Sequence, residues 1–364
     1  MSQEVCGTVQ TVEETRLQKL YKNSAKHEDM RRRRTECSVE LRKQKKDEAL
    51  MKRRNIAPLD DVTDSEISGT EESILAAGEV KCTVGNITPS DICRILSSNP
   101  SLEEIRTCFT NLRRLLARDR NPPVREVIEA NLLPALKAGI EFEDRTVQLE
   151  AAWAITNIVS GSSEDTASAV EAGIIPRLVQ MCFLDDFDLA EQACWALANI
   201  AGDSATLRDI CIREGIIDSL EYLVSRAEKL RVQFLRTIAW AYSNLCRHKN
   251  PQASIEHTSR LVKGIEVLLS NEDAVVRQDT CWALSYLTDG EDGYIRDANQ
   301  GNVMAFVLKM LNSENDAAIK PAIRVLGNFA TGSDDLTQVG ILFVHSSMAG
   351  HTSICAKYKH DILC

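Results

Sequence analysis

Cys194–Gly202 reads CWALANIAG, and the spacing inside it decides the fold. Trp195 and Asn199 stand four residues apart, about 400° of helical rotation, so their side chains nearly eclipse on one helix face. Ala193, Leu197 and Ile200 fall roughly opposite. One face is therefore apolar, and the other carries an indole above an amide. An isolated tryptophan on a helix is usually core, so the pair means little until it repeats.

It does repeat. Trp153–Asn157 lies in AAWAITNIVSG, Trp240–Asn244 in AWAYSNLCR, Trp282–Tyr286 in CWALSYLTDG and Arg324–Asn328 in AIRVLGNFATG. Successive first positions are 42, 45, 42 and 42 residues apart. A helical period in the low forties marks armadillo or HEAT arrays. Upstream of each motif a hinge precedes a second apolar helix, as in EAGIIPRLV (171–179), REGIIDSLEYLV (213–224) and the variant ANLLPALKAG (130–139). Gly permits the turn and Pro suits a first helical turn. A short helix, a hinge, a second helix and a motif-bearing third helix favour armadillo repeats. The expected fold is all-α: a right-handed superhelical solenoid with a continuous core and an extended groove. One period before Trp153 stand Asn111 and Leu115, without the pair, as a capping first repeat would have them.

Asn is a poor core residue unless its amide is paired, and the residues three further on (Ser160, Gly202, Arg247, Asp289, Thr331) are not core choices. The opposite positions stay apolar: Ile155 and Ile158, Leu197 and Ile200, Tyr242 and Leu245, Leu284 and Leu287, Leu326 and Phe329. The Trp/Asn stripe is therefore expected to be the exposed, concave surface of the stack. Amides there could bond the backbone of an extended peptide without reading its side chains. Indole faces would line slots for Lys or Arg stems, each favoured by roughly 0.5–2 kcal/mol. Asp203, just past the Asn199 helix, is placed to select a basic side chain.

Charge points the same way. Residues 1–57 hold 15 Lys and Arg against 9 Asp and Glu, a net of +6, and the rest of the 364-residue chain carries −16. A basic arm is thus joined to an acidic body, which argues against nucleic-acid binding by the body and favours basic partners. The division read from sequence is a basic arm over 1–57, an acidic flexible linker over 58–85, about six repeats over 86–338 and a non-repeat tail over 339–364. The twelve cysteines show no CxxC and no zinc spacing, which reads as reduced thiols of a cytosolic or nuclear protein. No apolar run suits a membrane span, Ser2 lacks the glycine that myristoylation needs, and Cys364 is not in a CaaX box. No P-loop, GxGxxG or nucleophile–base pattern accompanies the six histidines, so neither an enzyme nor a cofactor is expected.

With these residues in view, the chain resembles the importin alpha (karyopherin alpha) family of nuclear-import adaptors over about residues 14–338. The stretch 16–55, RLQKLYKNSAKHEDMRRRRTECSVELRKQKKDEALMKRRN, is similar to that family's importin-beta-binding domain, and NIAGD (199–203), SNLCRHKNP (243–251), YLTDG (286–290) and KPAIRVLGN (320–328) match its repeats. The resemblance implies a major site for basic nuclear localisation signals: Trp153, Trp195 and Trp240 as pocket walls, Asn157, Asn199 and Asn244 on the signal backbone, and Asp203 on the critical lysine. Gly161 and Thr166 would help at that subsite, and Gln192 would line the groove. Trp282, Tyr286, Arg324 and Asn328 would form part of a minor site.

The resemblance also gives the arm a role. Arg31, Arg32, Arg33, Arg34, Arg42, Lys43, Lys45 and Lys46 would lie on a conditionally formed helix that importin beta wraps. Lys52, Arg53 and Arg54 would fold back into the groove as an internal competitor when importin beta is absent. A localisation tag or an RNA-binding tail would share this charge, but Glu36, Glu40, Asp47 and Glu48, interleaved with the basic residues, suit a helix better. The implied partners are importin beta and cargo with basic signals, in cytoplasm and nucleus, with no membrane.

The family array has about ten repeats and this pattern stops after six, which suggests a C-terminally truncated form. Minor-site and bipartite-signal binding, and the grip of the family's export receptor, would need the later repeats. The alternative implied is a form that binds importin beta or cargo without recycling and so acts as a competitor. Ala198 stands where the family usually has Gly, and Tyr242 where it usually has Leu.

Overall fold

The computed structural model describes residue 53 and residues 87–339, except 119, 249, 300, 312, 314 and 315, with residue 316 described by its backbone alone. The linker 58–85, the tail from 340 on and every named basic residue of the arm except Arg53 lie outside the described residues. Residues between 51 and 322 belong to one compact unit, and those from Ile323 on to another. Among the described residues every regular element is helical, and the fold is an all-α armadillo-repeat solenoid.

The first repeat contributes α1 (Pro89–Leu96) and α2 (Leu102–Leu116). The second has α3 (Val124–Glu129), α4 (Leu133–Glu141) and α5 (Arg145–Ile158); the third has α6 (Ser163–Glu171), α7 (Ile175–Met181) and α8 (Phe187–Asp203). The fourth has α9 (Ala205–Arg213), α10 (Ile216–Ser225) and α11 (Val232–Arg247). In the fifth, a 3₁₀ turn at Ile255–His257 stands in place of the first helix, before α12 (Thr258–Leu269) and α13 (Ala274–Leu287). The segment feeding that turn, NPQAS, carries a proline and no helical apolar period. The sixth has α14 (Asp292–Ala298), α15 (Val303–Leu311) and α16 (Asp316–Ala330).

The hinges require left-handed backbone. Gly173 and Gly215 have φ of 78° and 99°, and in the second repeat Asn131, with φ of 56°, takes this place rather than Gly139. Asn reaches that region with local hydrogen bonding where most side chains do not. The third helices α2, α5, α8, α11 and α13 pack side by side in sequence order. Their expected core residues are buried, from Ile155 and Ile158 through Leu284 and Leu287.

One seam device was not anticipated. Nine residues before Trp153, Trp195 and Trp282 stand Asp144, Asp186 and Asp273. Each caps the N-terminus of its own third helix and also receives an arginine from the repeat before: Arg106 on Asp144 at 2.7 Å, Arg145 on Asp186, and Arg236 on Asp273 at 2.7 Å. The carboxylate thus satisfies orphan helix N–H groups and joins two repeats at once. The hydrogen bond from Arg236 holds the Asp273 carboxyl at about 2. Because this pKa is depressed, the stability it adds is present above the ordinary carboxylate range and is lost as pH falls towards 2. In the fourth repeat the equivalent residue is Arg231, which reaches back to Asp188 and Glu191, both at 2.7 Å.

Tyr242 is fully buried on α11, and its hydroxyl has no hydrogen-bond partner. It fits because the facing α12 residue is Gly264, where an added Cβ would fall 2.0 Å from the phenol oxygen. Gly264→Ala is therefore expected to cost about 1–3 kcal/mol in urea denaturation, and Tyr242→Leu in the same chain should restore most of the loss. Failure of the second substitution to rescue would mean that the strain lies elsewhere.

Candidate functional site

The row of third helices presents the recurring Trp and Asn residues, but not as an open stripe. The expectation of an exposed surface is corrected at the asparagines: Asn157, Asn199 and Asn244 are 1%, 0% and 1% exposed. For Asn199 and Asn244 the reason is that the amide reaches across the seam. Asn199 Nδ2 donates to the Thr156 carbonyl at 3.2 Å, and Asn244 Nδ2 to the Ala198 carbonyl at 2.8 Å. Each bond satisfies a buried polar group that a larger apolar residue would leave unpaired. The indoles divide: Trp153 and Trp195 are half-buried, Trp240 and Trp282 buried.

Arg53 lies across this row. Its backbone N–H donates to Asn199 Oδ1 at 2.8 Å. Its carbonyl accepts from Trp195 Nε1 at 2.8 Å and from Asn199 Nδ2 at 3.0 Å. Asn199 therefore divides its amide, with Nδ2 serving both the seam and the bound backbone and Oδ1 serving the bound backbone alone. The Arg53 guanidinium sits 4.5 Å above the Trp240 ring, and its Nη2 lies 3.0 Å from Asp279 Oδ2. Backbone and side chain are thus read separately. The amide and the indole N–H take the first without regard to residue type; the ring face and the carboxylate take the second because it is a cation.

Two contributions escaped the sequence reading: the Trp195 N–H as a backbone donor, and Asp279 as the acid. Asp279 stands three residues before Trp282 on α13, on the same helical face, and that spacing could have singled it out.

Asp203 ends α8 half-buried, and Ser163 Oγ donates to its Oδ1 at 3.0 Å. The carbonyl just before it, Gly202 O, is capped by Arg247 Nη2 at 2.6 Å and by the His248 Nε2 at 3.2 Å. Burial, the largest cause, and then Arg247 push the His248 pKa down to about 4, so it donates as a neutral imidazole. Arg208, fully buried, bonds the carbonyls of His248 and Pro251 at 2.8 and 2.9 Å. The RHKNP stretch thereby fixes the end of α8 and the place of Asp203, a role its sequence match did not disclose.

The remaining expected residues are placed as follows. Gly161 is exposed at the α5–α6 turn. Thr166 is fully buried and its hydroxyl donates to the Ser162 carbonyl at 3.0 Å, so it supports that turn from inside. Gln192 is buried, and its Nε2 donates to Thr156 Oγ1 at 2.7 Å, bracing α8 against α5. Trp282 and Tyr286 form a tilted ring pair, with centroids 5.7 Å apart and planes 31° apart. Arg324 is half-buried and Asn328 fully buried; both belong to the second unit. Among the described residues no cluster of His, Cys, Asp and Glu could hold a metal ion, and no helix is long and apolar enough to cross a membrane.

Comparison with known proteins bears on the fold and the family. The importin beta binding domain family matches residues 17–106, and the armadillo/beta-catenin-like repeat family matches 120–160 and 162–202. Importin subunit alpha-2 of Caenorhabditis elegans is 46% identical over 321 residues, covering 88% of this chain and 60% of that protein. Importin subunit alpha-3 of the same organism is 40% identical over 294 residues, covering 80% and 54%. A designed armadillo repeat protein superposes with a TM-score of 0.59 at 20% identity, covering 66% of this chain and 98% of that one, a likeness of fold alone. The matches define an armadillo-repeat protein whose N-terminal part is similar to the importin beta binding domain family. The chain is similar to importin alpha subunits over most of its own length, and it spans about 60% or less of the length of these two relatives.

Proposed function

We propose that the chain is a nuclear import adaptor: its groove takes basic localisation signals of cargo proteins, its N-terminal segment binds importin beta, and it works between cytoplasm and nucleus. The observation that carries this reading is the seating of Arg53. A cationic residue is held at both backbone groups by Asn199 and Trp195 and at its side chain by Trp240 and Asp279. A cargo lysine or arginine presents the same groups. The major site is thus read as Trp153, Trp195 and Trp240 with Asn157, Asn199 and Asn244, and with Asp203 as the acid for the lysine that precedes an arginine placed like Arg53.

On this reading Arg53 also makes the arm an internal competitor. It comes from the cluster Lys52–Arg53–Arg54, and a tethered competitor acts at an effective concentration of up to about millimolar. Importin beta, by binding the arm, would free the groove for cargo.

The test titrates a labelled peptide bearing one basic cluster against the full chain and against the full chain with Lys52, Arg53 and Arg54 all changed to Ala. The expected result is about tenfold tighter binding by the variant, the equivalent of about 1.4 kcal/mol, and a similar gain when importin beta is added to the unaltered chain. Equal affinity in the two chains overturns the autoinhibition. Absence of binding to either overturns the signal-receptor reading.

A further inference from the structure

We infer that Arg113 is a specificity-determining residue that closes the first-repeat end of the groove to basic side chains; the inference rests on the signal-receptor reading above. The Arg53 site has three parts: a guanidinium, a tryptophan face beneath it and a carboxylate on a third helix beside it. The same three parts occur a second time, and there the cation is built in. The Arg113 guanidinium lies 4.6 Å above the Trp153 ring, against 4.5 Å for Arg53 above Trp240. Its Nε is 2.7 Å from Glu150 Oε2. Glu150 precedes Trp153 by three residues, as Asp279 precedes Trp282.

The two cations differ in how they are held. The Arg53 side chain is 40% exposed, whereas that of Arg113 is 7% exposed. Arg113 also arises from α2, within the repeat stack, 40 residues before Trp153. One mean period before Trp153 pointed to Asn111, but Arg113, two positions on, is the side chain that meets the indole.

A fixed, buried cation on a tryptophan face excludes a second cation from it. The volume is filled, the ring's favourable face is used, and two like charges this close repel strongly in a partly buried setting. Glu150 is engaged as well, so its charge is already balanced by Arg113. The run of slots that suits basic stems therefore stops at Trp153, and a signal gains nothing from a further lysine directed towards the first repeat. Burying an arginine merely to fill space is costly beside an apolar residue of similar volume, which is why its place on a groove tryptophan carries weight.

The test uses the full chain with Lys52, Arg53 and Arg54 changed to Ala, so that the arm does not compete. Three labelled peptides are titrated: a basic cluster alone, the cluster with two lysines added on its N-terminal side, and the cluster with two lysines added on its C-terminal side. With Arg113 present, the extension that runs towards Trp153 should change affinity by less than about twofold. Arg113→Met should make that one extended peptide bind about tenfold tighter, as expected for a lysine gaining both a ring face and the freed Glu150, while the cluster alone stays within about twofold. Arg113→Gln, which keeps a donor for Glu150, should move the preference in the same direction and serves if the Met variant folds poorly. An Arg113 with a purely structural role would shift the melting temperature and leave the preference among peptides unmoved, which would overturn the inference. If the cluster alone fails to bind the chain with Arg113 intact, it is the signal-receptor reading that falls.

Discussion

Asp203→Lys is expected to lower the affinity for a peptide with one basic cluster by about 100-fold or more. The carboxylate ends α8, where Ser163 orients one oxygen and where Arg247 and His248 cap the preceding carbonyl. Its place is thus set by the fold and needs no ligand to form. Two unit charges 4 Å apart near a protein surface interact by about 4 kcal/mol, and charge reversal replaces attraction with repulsion. Even half of that figure, about 2 kcal/mol, exceeds one decade in affinity. The measurement is peptide anisotropy on the variant, with a thermal melt to show that the fold survives. Unchanged affinity would remove Asp203 from the pocket. Asp203→Ala should fall between the two, because it abolishes the attraction without adding repulsion.

The second large effect is expected at Asn199, where fold and ligand contact share one side chain. Asn199→Ala deprives the Thr156 carbonyl of a partner and should lower unfolding stability by about 1–3 kcal/mol. It also removes both hydrogen bonds that the amide makes to a seated backbone, so peptide binding should weaken by about tenfold or more. On the autoinhibition proposed above, the loss should look smaller in the unaltered arm background, since an internal competitor would lose the same bonds. The full effect should appear only with Lys52, Arg53 and Arg54 replaced. A chain that loses stability but keeps its peptide affinity would reduce Asn199 to a seam residue.

The repeat architecture was open to reading because each unit restates the same constraint. Trp195 and Asn199 identify a helix face, and their recurrence every 42 or 45 residues identifies the stack. Composition and charge then separate arm from array. The contacts that cross seams were harder to see. Asn199 and Asn244 looked exposed because a polar residue at a repeated position suggests solvent, yet each amide spends a hydrogen on a carbonyl of the helix before it. Thr166 and Gln192 were assigned to the groove on resemblance, and both turn inward to bond neighbours. Asp279 and Glu150 share a register with the tryptophans but differ from Gln192 and Thr237 at the same place, so no repeated letter drew attention to them. Arg113 lies two residues off the period, and only three-dimensional packing puts it against Trp153.

The double use of Asn199 has a mechanical consequence. A stack of helices joined by small seams behaves as a spring, and its stiffness at each joint depends on the bonds made there. Where the amide that closes the joint to α5 also grips a bound residue whose side chain reaches α11 and α13, filling the groove adds tension members between α8 and those two helices without altering any core contact. On the proposed function, cargo would then do more than occupy the groove: it would set how far the stack can flex while importin beta takes hold of the arm.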